Sequence, residues 1–176
     1  MTSNVIERFG AVQSAYELNR DIIKQARRAV RGDPIRAGSS LLVLRPEELE
    51  REFDSLNDRL ADVTVLNLWV AFERFLIDHI TWSTAPLSSL PSEFASALQA
   101  KLSHEVERWR FEEMLDLYKG WVDSRDVGWA KQIKSYRDWI AHRNPKKPPP
   151  ALVDPDTAYR VLAGFVRAVE SAQGSG

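Results

Sequence analysis

The sequence predicts an all-α fold, a bundle of about five helices. Three observations predict it. Apolar residues recur at steps of three and four over long stretches. Clusters of Pro, Gly, Ser and Asp separate those stretches. No pair of alternating segments is joined by hairpin turn chemistry, and no internal repeat is present. A chain of 176 residues, 44% hydrophobic and 28% charged, reads as one domain spanning 1–176, able to bury a core without crosslinks.

The first helix is predicted over Asn4 to Val30, with Val5, Phe9, Val12, Tyr16, Ile23, Ala26 and Val30 on one stripe, and Gly32-Asp33-Pro34 stops it. Pro46-Glu47-Glu48 starts the second, with proline in the first turn and acids at the positive dipole end. It runs to about Trp82. Leu49, Phe53, Leu56, Leu60 and Val63 form a single stripe in its first half. Beyond Thr64 apolar residues spread around the circumference, as on the buried axis of a bundle. A helix this long predicts a kink near Ala61–Thr64. Ser83 to Pro91 reads as a loop. A third helical pattern opens at Ser92 with Phe94, Leu98, Leu102, Val106 and Trp109, and continues after a bend through Met114, Leu117, Tyr118 and Trp121. Asp123 to Asp126 breaks it. Trp129, Ile133, Tyr136 and Ile140 carry the next helix. Pro145 to Pro150 is a stiff connector. Asp154-Pro155 caps a last helix with Tyr159, Leu162, Phe165 or Val166, and Val169 inward, leaving 170–176 as a frayed tail.

Composition excludes several classes. The chain has no cysteine, so disulfides and thiolate metal sites are absent. Its three histidines, His79, His104 and His142, show no paired metal-ligand spacing, and neither a metal nor another cofactor is expected. The N-terminal residues lack a signal pattern, and Asn67, Glu73, Arg74 and Asp78 interrupt the most apolar run. A cytoplasmic protein that does not enter membranes is the expectation. A net charge of −1 gives no global attraction to nucleic acid, so any such contact must come from local basic groups.

One local group stands out: Arg137-Asp138-Trp139-Ile140-Ala141-His142, followed by Arg143-Asn144-Pro145-Lys146-Lys147. Arginine offers a permanent charge and a planar fork of donors suited to phosphate. Histidine exchanges protons near neutrality, its unperturbed pKa being about 6.5. Arg74 and His79 repeat the spacing, but inside an apolar stretch with little access for a polymer. The reading therefore favours Arg137 and His142. One geometric condition comes with it. Five steps along a helix rotate about 140°, so the two side chains share a site only if the helix unwinds before His142 or a second copy completes it.

These residues, on a late helix of an all-α domain with one more helix to follow, resemble the signature of the HEPN superfamily. Arg137, the polar Asp138 and His142 occupy the motif positions, and Ile140-Ala141-His142 is similar to its common ending. The helix carrying Trp69-Val70-Ala71-Phe72-Glu73-Arg74-Phe75-Leu76 looks like the family's second helix. The likeness is architectural over most of the chain and specific across the motif alone. It implies a metal-independent endoribonuclease of the toxin–antitoxin or antiviral-defence type, acting as a homodimer with a shared cleft, with an antitoxin or regulatory protein as a further partner. Two departures accompany it. Asp138 stands where asparagine is commoner, and it can pair with a neighbouring arginine. Asn144 stands where the branch silenced by nucleotidyl transfer has tyrosine.

RNA brings its own nucleophile, the 2′-hydroxyl. His142 would move the protons, and Arg137 would hold the phosphate and stabilise the developing charge. Arg143, Lys146 and Lys147 are candidates to track the RNA backbone. Asn144 either bonds a phosphate or caps the helix. Glu73 either orients Arg137 or His142, or forms half of a buried ion pair. Tyr136 reads as core rather than as a base-stacking group. The basic group from Lys24 to Arg36 reads as a solvated helix end. The alternative is a catalytically inactive helical module that binds a protein partner or a nucleotide, with Arg137 and His142 complementing the helix dipole.

Overall fold

Each long run of three-and-four spacing folds as a helix except the third, which divides. The computed structural model describes residues 3–32, 44–89, 92–142 and 148–173. The helices are α1 (Ser3–Gly32), α2 (Pro46–Thr84), α3 (Glu93–Glu105), α4 (Phe111–Asp116), α5 (Ser124–His142) and α6 (Pro155–Gln173), with 3-10 turns at Ala85–Ser89 and Val106–Arg108. The fold is all-α. Among the described residues no strand forms, the sole bridge being Lys119 with Val122. No helix among them is long and apolar enough to cross a membrane.

α2 is the axis. Pro46 occupies its first turn, and the Arg45 backbone N–H donates to the Glu48 side chain at 2.8 Å, which fixes the start. Val65, Leu68, Trp69, Phe72 and Leu76 are sealed within the bundle. Contrary to the expected kink, α2 is one uninterrupted α-helix. Thr64 Oγ1 donates to the Leu60 carbonyl at 2.7 Å, so its hydroxyl is accommodated inside the helical ladder without breaking it. Nor is the second half buried all round, since Val70 and Trp82 face outward.

α6 is the other core element. Asp154 accepts from the Thr157 N–H at 2.9 Å, and Pro155 fills the first turn, the capping chemistry that its sequence predicts. Val161, Leu162, Phe165, Val166 and Val169 are buried, while Tyr159 is half-buried. Phe165 meets Phe72 and Tyr118 edge-on, with ring centroids 5.1 and 5.4 Å apart, an arrangement that the ring quadrupoles favour. Part of the expected tail is helical instead. Residues 170–173 continue α6, and the Gln173 side chain is anchored to His79 at 2.7 Å; 174–176 lie outside the described residues.

α1 runs antiparallel to α2. Its first turns bury Val5 and Phe9, whereas Val12, Tyr16, Ile23 and Val30 are half-covered and Ala26 is exposed. Towards its end it is held by charge: Arg27 reaches Glu50 and Asp54, and Arg31 reaches Glu50. The third predicted helix divides. α3 ends at Glu105, a 3-10 turn and two extended residues follow, and α4 restarts at Phe111. Phe94 and Leu98 point to solvent, leaving Ala95 as the buried residue of α3. Gly120, at φ +98°, makes the turn out of α4 that residues with a Cβ resist. Asp123 then starts α5 instead of prolonging the break, its carboxylate accepting the Arg125 N–H at 2.7 Å.

Candidate functional site

α5 buries Val127, Ala130 and Ile133, and its remaining faces carry the motif. Arg137 is half-buried. Its Nη1 donates to Asp138 Oδ1 at 3.0 Å. Asp138 in turn meets Lys134 at 3.0 Å, and Lys134 meets Glu112 of α4 at 2.7 Å. Burial alone would push the Asp138 carboxyl up, but Lys134 and then Arg137 hold it below its ordinary value. Asp138 therefore stays ionised and positions the guanidinium instead of presenting its own oxygens. Lys134 lies one helical turn before Asp138, and this i, i+4 spacing is the sequence signal that identifies it.

His142 is the last residue of α5 and is exposed. The helix does not unwind before it. On a continuous helix Arg137 and His142 point about 140° apart, so one copy does not bring them together. Glu73, on α2, is half-buried, and among the described residues it makes no hydrogen bond or ion pair with Arg137 or His142. The α2 carboxylate that does reach this part of α5 is Asp62, which accepts from the Tyr136 hydroxyl at 2.9 Å. Tyr136 is half-buried and stacks on Trp139 at 5.9 Å, a packing role as its stripe predicts. Arg143, Asn144, Lys146 and Lys147 lie outside the described residues. Among those described, no group of three or more His, Asp or Glu side chains gathers in a metal-binding arrangement.

The second Arg/His pair is built differently. His79 is buried and hydrogen-bonded at both ring nitrogens, Nδ1 to the Tyr118 hydroxyl at 2.9 Å and Nε2 to the Gln173 amide at 2.7 Å. With the amide nitrogen facing Nε2, Gln173 donates to the ring and Nδ1–H donates to Tyr118; turning the amide over exchanges both roles. Both arrangements satisfy a neutral imidazole. Burial depresses the His79 pKa and pushes the Tyr118 phenol up. His79 is thus a structural histidine, as its apolar surroundings in the sequence indicate. Arg74 is exposed, pairing with Asp78 at 2.8 Å and Glu107 at 3.5 Å, and it borders a cleft of about 440 Å³ between α1, α2 and the end of α6. Periodicity did not announce this cleft, because its walls come from three helices distant in sequence.

Comparison with family models, curated proteins and solved structures finds no match to this chain.

Proposed function

We propose that this protein is a metal-independent endoribonuclease whose site forms where the α5 ends of two copies meet. The observation that carries the reading is the end of α5. It presents an exposed imidazole at its last residue, with a guanidinium held by Asp138 one and a half turns earlier. Divergence of the pair on one helix makes the second copy a requirement, because Arg137 of one protomer must meet His142 of the other. Leu56 and Val63, exposed on α2, offer apolar surface for a contact between copies.

Cleavage then runs as follows. One His142 takes the proton from the 2′-hydroxyl as its oxygen bonds to phosphorus. The bond from phosphorus to the 5′-oxygen breaks, and the partner's His142, protonated, gives that oxygen its proton. Arg137 holds the equatorial oxygens as negative charge builds. The products are a 2′,3′-cyclic phosphate and a 5′-hydroxyl. Such an activity fits a toxin or defence effector restrained by a partner protein.

Purified protein incubated with total cellular RNA in EDTA tests the reading. Cyclic-phosphate ends produced by the wild type and missing with His142→Ala support it. An intact RNA pool, or equal cleavage by the variant, removes it and leaves an inactive binding module.

A further inference from the structure

The cleft between α1, α2 and α6 lies apart from the α5 end and has its own chemistry. Arg8 and Arg74 stand at its edge, Phe75 and Trp82 form much of its wall, and His79 with Gln173 lies at its base. Arg8 sits one turn after Asn4 on α1, so both face the opening from the same side. Arg74, Asp78 and Trp82 follow one another at i, i+4 steps along α2.

Three features say what would fit. The first is charge. Asp78 is taken up by Arg74 at 2.8 Å, whereas Arg8 is exposed and makes no ion pair with any described residue. One guanidinium is left unspent at the rim, which favours an anionic group there. The second is the exposed aromatic surface. Trp82 is 57% exposed and Trp121 is 53% exposed, although tryptophan ordinarily hides its large apolar body. Both flank His79, each with its ring centroid 6.4 Å away. Trp82 therefore presents an uncovered ring to the cleft, on which a planar group can stack. The third is size. A volume of about 440 Å³ holds a small molecule of one or two rings and excludes a folded partner.

The geometry points to a binding site for a small anion carrying a planar aromatic ring, its ring against Trp82 and its charged head on Arg8. Aryl carboxylates and nucleoside monophosphates share that chemistry. His79 takes no proton from the ligand, since both its nitrogens are already engaged. It fixes the base of the cleft and, through Gln173, closes the α6 end against it.

Titration calorimetry of the full chain tests this with AMP, GMP, CMP, UMP and indole-3-acetate as probes. Inorganic phosphate, adenosine and indole serve as half-ligands. Saturable binding of at least one ring-bearing anion at millimolar concentration is expected, with the half-ligands weaker by about tenfold or more. The preferred probe distinguishes a nucleotide from a carboxylate site. Arg8→Ala and Trp82→Ala should each weaken binding by about tenfold while leaving the circular dichroism spectrum unchanged, both side chains being exposed. His142→Ala should bind as the wild type does, which separates this site from the proposed nuclease centre. Absence of saturation by every ring-bearing anion, or binding indifferent to both cleft variants, overturns the assignment.

Discussion

His142 and His79 show how placement divides one residue type into two environments. His142 ends a helix in solvent, where its loss removes little packing. His142→Ala should change the unfolding free energy by no more than about 0.5 kcal/mol in urea titration, while RNA cleavage falls by about 10²-fold or more. His79 is the reverse. Its depressed pKa means that the unfolded chain takes up a proton first as the pH falls. Its contribution is complete above the unfolded value of about 6.5 and is lost as the pH falls through the lower folded value. Urea midpoints should therefore decline on acidification through this window, and His79→Gln should flatten the decline. An equal slope in the variant would contradict the assignment. Tyr118→Phe leaves the His79 Nδ1 without a partner in the core and should cost about 1–3 kcal/mol by denaturant titration. The sequence marked both histidines by the same arginine spacing. Apolar neighbours told the buried histidine from the exposed one, because burial follows from neighbours on a helix, whereas Tyr118 and Gln173 reach His79 from other parts of the fold and left no local signal.

At the scale of elements, helix starts were legible and helix interiors less so. Pro46-Glu47-Glu48 and Asp154-Pro155 carry their capping chemistry within a few residues, and both begin helices where they stand. The kink assigned near Thr64 relied on length alone, and α2 stays continuous, packed against α1, α5 and α6. The Phe94–Leu98 stripe predicted a buried face, yet α3 sits at the periphery, and periodicity does not say whether a neighbour arrives to cover it. The basic end of α1 has a definite structural task. Arg31 and then Arg27 hold the Glu50 carboxyl down to about 2, joining α1 to α2. Its contribution is present above the ordinary carboxyl range and lost as the pH falls through about 2. Glu50→Gln should speed amide exchange along residues 24–31 and leave α5 and α6 unaffected, which hydrogen-exchange mass spectrometry resolves by peptide.

For the whole molecule, the class all-α followed from the spacing of apolar residues. Arg137 and His142 are close in sequence but diverge on a continuous helix, so the proposed site requires a second copy. The absence of cysteine makes this accessible to experiment, since a single introduced thiol is unambiguous. Ala141→Cys, exposed beside His142, should give a covalent dimer with a short bismaleimide, and Phe94→Cys, exposed on α3, should not. A monomer at all concentrations would remove the shared site.

The proposed activity requires Arg137 and His142 to act on RNA together. The most direct measurement is the chemistry of the RNA ends left by wild type and by His142→Ala, side by side in EDTA. The expected result is 2′,3′-cyclic phosphate with 5′-hydroxyl from the wild type and uncut RNA from the variant. Uncut RNA from both, or the same ends from both, would contradict it.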